Sequence, residues 1–325
     1  MRQARFLGLR EDRPAIAKAQ ASRGPTSAPK ALRAKTGSTG ITHADRVVFP
    51  GDGVTKGEIA DHYAKVAALM EPHLASRLVS IVRAPATIAE TFFQRHPLKG
   101  MTHGIVAVEQ GVETYMALRG AEGLQTAAQF GAIEIHGWLS RYDEPDRPDR
   151  LIFDLDPDPA VGFGEVKSAA KYLAAQLDSI RLTSFPMVTG GKGVHVICPL
   201  DRSLAVEDVE MFARVFAQGL SAEMPQRFVA SMSKAKREGR IFIDWMRNKR
   251  TSTAVLPWSL RARPGATMAV PLSWKALAAL GSSSAFTIRD SPVLKDAWPQ
   301  FFTTRQTIRA QALSFARKRD AAGSP

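Results

Sequence analysis

The stretch Leu151-Ile152-Phe153-Asp154-Leu155-Asp156-Pro157 sets two carboxylates two residues apart in an apolar run. Read as a strand, it alternates faces. Leu151, Phe153 and Leu155 share one side, and Ile152, Asp154 and Asp156 the other. Residues i and i+2 of a strand lie about 7 Å apart at Cα, so the two acids project side by side. Bare carboxylates in that position repel and resist ionisation. A divalent cation between them removes the conflict, and Pro157 ends the strand at the site. The same triplet also suits two solvated loop acids before a proline.

Two later stretches bear on that choice. Thr189-Gly190-Gly191-Lys192-Gly193 runs into the apolar Val194-His195-Val196-Ile197-Cys198. Three glycines in four positions let backbone N–H groups turn toward an anion, and Lys192 adds a point charge. The spacing is not that of a Walker A loop, and an ordinary glycine turn reads the same way. Arg240-Ile241-Phe242-Ile243-Asp244-Trp245 then places one Asp in a β-rich run, with Arg247, Lys249 and Arg250 close behind. A lone strand Asp is usually an edge or hydrogen-bonded residue. As a third carboxylate it would complete a metal site for nucleotidyl transfer.

The three stretches, in this order, resemble the polymerase domain of bacterial DNA ligase D, a member of the archaeo-eukaryotic primase superfamily. Motif I is the DxD of Asp154 and Asp156, motif II the Gly-Gly-Lys-Gly-x-His run, and motif III the apolar-Asp-apolar run at Asp244. Pro148-Asp149-Arg150, Pro225 to Ala230, Trp258 to Gly265, Val82-Arg83-Ala84-Pro85 and Phe92-Phe93-Gln94-Arg95-His96 also look like this family, so the resemblance covers about residues 41–290. It implies an α/β (α+β), primase-like fold: an RRM-like catalytic module and an N-terminal module around one cleft.

The resemblance also implies roles. Asp154, Asp156 and Asp244 would be catalytic and hold one or two Mn²⁺ or Mg²⁺ ions. Thr189, Gly191, Lys192, His195, His136 and Arg261 would contact an NTP or dNTP. Lys56 and Arg46 would grip a 5′-phosphate, with Arg83, Phe92 and Phe93 on the DNA. The family fills gaps at broken ends, prefers ribonucleotides, and acts with Ku and a DNA ligase domain or polypeptide in non-homologous end joining. Two departures stand out: Thr189 replaces the usual Ser and keeps a hydroxyl, and Met187 falls where a Lys is common. A non-catalytic DNA-end binding module would keep the basic face without the three Asp residues. A mobile-element primase would need those residues too, and would differ in extending an unprimed template.

These residues need elements to carry them. Apolar periodicity predicts a helix over Gly57 to Leu74, with Ile59, Tyr63, Val66, Leu69 and Met70 on one face. Val79–Arg83 reads as a strand, 105–120 as a hairpin, Leu124–Phe130 as a short helix and 132–138 as a strand bearing His136. Glu165–Ile180 and Val206–Glu223 read as amphipathic helices, Ser231 to Arg240 as a basic loop, and 253–256 and 267–270 as strands. Adjacent Phe92 and Phe93 among Arg95, His96 and Lys99 suit base stacking beside phosphates, and suit a core equally.

The chain has 325 residues and a net charge of +13, with 45% apolar and 23% charged residues. That composition is globular, and the charge points to a polyanionic partner, nucleic acid before an anionic membrane surface. No apolar run approaches the roughly 20 residues of a membrane span, and the first residues lack a signal-peptide core. A single cysteine, Cys198, excludes an internal disulfide framework and fits a reducing cytoplasm, at the nucleoid; it reads as packing.

Three segments are expected: an arm over 1–40, a primase-polymerase domain over 41–292, and a basic, partly helical tail over 293–325. The arm carries nine Lys or Arg against Glu11 and Asp12, and reads as a linker. Phe6 to Ala15 also resembles the last motif of an ATP-dependent DNA ligase domain, implying a remnant ligase end. The nucleotidyl-transfer Lys motif of a ligase is absent, so ligation is not expected of this chain.

Overall fold

The computed structural model describes residues 40–290 and 296–321. The ligase-like stretch at 6–15 and most of the arm lie outside them.

The elements run β1 (Val47–Phe49), β2 (Val54–Thr55), α1 (Lys56–Leu74), β3 (Leu78–Arg83), β4 (Phe92–Gln94), β5 (Ile105–Gln110), β6 (Glu113–Leu118), α2 (Gly120–Gln129) and β7 (Ala132–Trp138). There follow β8 (Arg150–Pro157), α3 (Phe163–Ser179), β9 (Phe185–Val188), β10 (Val194–Pro199), α4 (Val206–Glu223), β11 (Phe228–Val229) and β12 (Ile241–Asp244). The last are β13 (Thr253–Val255), β14 (Val270–Pro271), α5 (Trp274–Ala279) and α6 (Ala310–Ala321).

Two six-stranded sheets organise these elements. One has the order β13-β7-β3-β6-β5, with β4 also paired to β3. Helices α1 and α2 cover it. The periodic face of α1, Ile59, Tyr63, Val66 and Met70, packs in one core with Val79, Ile81, Ile133 and Ile135. α1 begins at Thr55, whose hydroxyl accepts from the Glu58 N–H while the Glu58 carboxylate accepts from the Thr55 N–H. This reciprocal cap fixes where Lys56 starts the helix. α2 starts four residues before the sequence expectation, at Gly120, because Gly120 at φ +57 turns the chain directly out of β6.

The other sheet has the order β11-β12-β8-β10-β9-β14. Within it, β8-α3-β9-β10-α4-β12 is a β-α-β-β-α-β unit with antiparallel strand order β12-β8-β10-β9. This is the RRM-like module. Leu151, Phe153 and Leu155 face the helices with Val166, Leu173 and Phe212, as strand alternation requires. Ile152 packs on the opposite face, with Met187, Ile197, Trp298 and Phe301. Asp154 and Asp156 therefore share that opposite face.

After β13 the chain is less regular than its alternation suggests. Leu260 bridges Met268 and Thr267 bridges Thr287, but a strand forms only at Val270–Pro271. Arg305, Arg309, Arg317, Lys318 and Arg319 are exposed, as expected, yet Trp298, Phe301, Ile308 and Leu313 are buried against the sheet and its helices. Cys198 is buried in β10 with its thiol pKa pushed up, which suits packing.

Candidate active site

The three aspartates converge through strand register. Asp154 on β8 lies directly opposite Asp244 on β12, and directly opposite His195 on β10. His195 Nε2 stands 3.4 Å from Asp154 Oδ1. Asp156, one side-chain period along β8, faces the cleft and is half-exposed.

Two arginines offset part of this negative charge. After β12 the chain makes a single 3₁₀ turn over Met246–Asn248, which brings Arg247 back over Asp244. Arg247 Nη2 donates to Asp154 Oδ2 at 3.1 Å, and its Nε lies 3.2 Å from Asp244 Oδ2. Arg237 of the basic loop reaches Asp156 Oδ2 at 3.5 Å while lying over the Phe242 ring. The buried Asn248 donates to Ile152 O and accepts from the Ile152 N–H, pinning the turn to β8.

The acids titrate differently because their neighbours differ. Burial pushes the Asp154 carboxyl up, but His195 and Arg247 outweigh burial and hold it below the usual range. Burial raises Asp156, and the neighbouring charge of Asp154 raises it further. Burial also raises Asp244, against the pull of Arg247.

The glycine loop closes over this face. Gly190 sits at φ +69, and a Cβ there would meet the Met268 backbone at 2.8 Å. A Cβ on Gly193 would lie 2.3 Å from Leu155 O, so glycine at 193 lets the loop lie against β8, and glycine at 190 lets it pass the Met268 backbone. The Thr189 hydroxyl donates to Gly193 O and accepts from the Gly191 N–H, so the departure from Ser keeps a hydroxyl that shapes the loop. Lys192 is exposed at the tip. Met187 is buried in the second core and offers no cation to the loop.

A second group adjoins the loop. Glu134 on β7 is buried and accepts from His136 Nε2 at 2.7 Å, Arg261 Nε at 3.0 Å and the Ala262 N–H at 2.9 Å. Burial alone would raise Glu134, but His136 and Arg261 bring its pKa down to about 2. Arg261 Nη1 in turn donates to Thr189 O. The Phe93 ring stands edge-on to His136, with centroids 6.2 Å apart. Phe93, His136, Arg261, Thr189 and Gly191 thus form a continuous wall. Phe92 and Phe93 are exposed, so neither packs in the core. Arg83 is Cα partner to Phe92 and half-buried.

Lys56 and Arg46 make a separate pair. The Lys56 N–H donates to Arg46 O, and Lys56 Nζ donates to Thr42 O and Gln129 Oε1, both at 2.9 Å. Lys56 is nearly buried, and desolvation followed by the Arg46 charge lowers its pKa. Among the described residues neither contacts the carboxylate cluster.

Three side chains here were not assigned from sequence: Arg247, Arg237 and Glu134. Their signals were present. Asp244 and Arg247 have i, i+3 spacing, and Glu134 shares a strand face with His136. The charge run before Asp244 suits a solvated surface or a lining of the DNA or phosphate path, and the structure turns its Arg237 onto Asp156.

Among the described residues, no three His, Cys, Asp or Glu side chains are arranged as they stand to hold a metal ion. The donor set nonetheless fits one. Three carboxylates suit hard, oxygen-seeking cations such as Mg²⁺ or Mn²⁺. The Arg247 guanidinium between Asp154 and Asp244 shows that this point accepts positive charge.

With this geometry in view, known proteins supply a comparison. The family model described as LigD, primase-polymerase domain, matches residues 55–298. The multifunctional non-homologous end joining protein LigD of Pseudomonas aeruginosa is 36% identical over 95% of this chain and 39% of its own length. That of Mycolicibacterium smegmatis is 33% identical over 73% of this chain and 32% of its own length. The chain therefore spans about a third to two fifths of these relatives. The polymerase domain of Mycobacterium tuberculosis ligase D, solved in complex with DNA, superposes with a TM-score of 0.70 at 31% identity, covering 78% of this chain and 93% of that one. No helix among the described residues is long and apolar enough to cross a membrane. Shared motifs, shared fold and a family match over most of its length make this chain a member of the LigD primase-polymerase domain family.

Proposed function

We propose that this chain is a template-dependent nucleotidyltransferase that fills gaps and extends ends at DNA double-strand breaks. The observation that carries this reading is the register of Asp154 against Asp244 on paired strands, one residue pair from the glycine loop. Asp154, Asp156 and Asp244 would hold Mn²⁺ or Mg²⁺, which when bound supplies Lewis-acid charge to a triphosphate and a primer 3′-hydroxyl.

The chain's own residues do the rest. Lys192, Arg261 and the N–H groups of the glycine loop bind a nucleoside triphosphate, with Thr189 and His195 setting the loop and the floor. Glu134 keeps Arg261 and His136 aimed at that triphosphate. Phe92 and Phe93 stack on template bases beside Arg83. Lys56, at the start of α1 with Arg46, takes a downstream 5′-phosphate, where helix dipole and N–H groups favour an anion. The catalytic unit runs over 41–292, with the basic arm before it. In this reading it works with Ku and a DNA ligase domain or polypeptide in end joining.

Extension of a primed, 5′-phosphorylated gapped duplex with Mn²⁺, comparing NTP with dNTP, tests the proposal. Templated addition with ribonucleotide preference is expected. Binding without any addition would leave a DNA-end module instead. DNA affinity is expected to fall steeply with salt, because Lys and Arg contacts release counterions.

A further inference from the structure

On the far side of the RRM-like sheet from the carboxylates, α3, α4 and α6 border a groove of about 750 Å³. That volume lies within the ~300–1,000 Å³ usual for ligand clefts. Its apolar lining comes from Ile180, Val215, Phe216, Leu220, Ala312 and Phe315. Phe216 backs onto Phe153 of β8, ring centroids 5.2 Å apart, which places the groove behind the strand whose other face carries Asp154 and Asp156. Phe315 is 60% exposed, unusual for so large an apolar side chain on a helix that packs elsewhere through Leu313 and Ala316.

Three arginines border this lining: Arg181, Arg309 and Arg319. Arg319 lies over the Phe315 ring. Arg181 and Arg309 have no ion pair among the described residues, and both are exposed. The lining has one acid, Glu223, which accepts from the Tyr172 hydroxyl at 2.7 Å. The α6 wall lies beyond residue 298, where the family match ends. The groove's α3 and α4 walls lie inside that match, and α6 completes the groove.

We propose that this groove docks a protein segment of acidic amphipathic character. One or two large apolar side chains seat against Phe216, Leu220 and Phe315, and Asp or Glu residues meet Arg181, Arg309 and Arg319. Both halves of the surface demand this occupant. A phosphate backbone would pair the arginines and leave the apolar lining in water. A purely apolar ligand would cover the lining and leave Arg181 and Arg309 unmatched. An amphipathic helix, with apolar residues at i, i+3 or i+4, and i+7 and acids between them, satisfies both.

The test uses the full chain and a fluorescein-labelled peptide with Leu and Phe at that spacing and Glu elsewhere. Fluorescence anisotropy is expected to show saturable binding. Phe315→Ala and Arg309→Glu should each weaken it about tenfold or more, as central anchors do. Both positions are exposed, so folding should hold, and extension of gapped DNA should be unchanged. Several results overturn the proposal: no saturation up to millimolar peptide, equal binding of a peptide of the same composition with scrambled spacing, or no effect of either variant. Complete displacement by a single-stranded oligonucleotide also overturns it, in favour of nucleic acid. So does concentration-dependent self-association lost in Phe315→Ala, in favour of a second copy.

Discussion

Two clusters in this molecule are built from aspartate and arginine, and they behave oppositely. In the first, Asp149 accepts from Arg77, Arg141 and Arg150. Arg77 is fully buried, and its remaining N–H groups donate to His73 O, Trp138 O and Ser140 O. Arg150 also lies over the Phe301 ring. Arg77 and Arg150 are sealed in protein, only Arg141 reaches water, and cations outnumber the acid. In the second, three acids face Arg247 and Arg237, acids outnumber arginines, and Arg247 remains 41% exposed. The sealed cluster ties the loop before β8 to α1 and β7. The open one has excess negative charge facing a cleft. The same two residue types therefore make a sealed clamp or, in the proposed function, a cation site, according to which charge is in excess and whether water reaches it.

Substitutions separate the two. Asp154→Ala, Asp156→Ala and Asp244→Ala should each lower nucleotide extension by more than about 10²-fold, since even residues that merely orient metal ligands cost about 10–100-fold. DNA affinity and melting temperature should stay near wild type. Substantial extension by any of the three removes that residue from the cation site. Asp149→Ala should do the reverse, costing about 3–5 kcal/mol in urea denaturation because Arg77 and Arg150 are left buried without a counter-charge. A stability loss under about 1 kcal/mol would show that the clamp reading is wrong.

Glu134 tests an intermediate case, a buried acid holding site residues. Its folded pKa of about 2 lies below the ordinary 4.5, so its ionisation stabilises the fold above about pH 4.5 and less as pH falls toward 2. Glu134→Gln should lose about 2–3 kcal/mol at pH 7, with the gap to wild type closing between pH 4.5 and 2. A gap independent of pH would place its contribution in packing alone. The smallest effect is expected at Lys56, a nearly buried cation whose partners are neutral oxygens. Lys56→Ala should weaken binding to a 5′-phosphorylated gap about tenfold, with much less effect on the same gap bearing a 5′-hydroxyl. Equal losses on both would show that Lys56 does not read the phosphate.

Local pattern carried much of this molecule. Alternation along 151–157 is enough to separate Phe153 from Asp154, because side chains of a strand change face at every residue. The α4 boundaries follow from apolar periodicity, and the α/β class from the succession of strands and helices between 151 and 270. The three aspartates were legible by type and by their apolar settings, with Gly190, Gly191 and Gly193 legible as a loop whose N–H groups can turn toward an anion. Other features were ambiguous in one dimension. Phe92 and Phe93 fit a core or a stacking surface equally, and only the exposed position of β4 rules out the core.

Tertiary structure alone supplied the pairings. That Asp244 meets Asp154 depends on the register of β12 against β8, between residues ninety positions apart. Arg247 reaches the acids because a 3₁₀ turn folds it back, and Arg237 because a loop returns across Phe242. Burial of Lys56 depends on Thr42 and Gln129 closing around it from two distant segments. Residue type and period are set by neighbours along the chain. Register, burial and charge compensation belong to contacts across it, and no local window contains them.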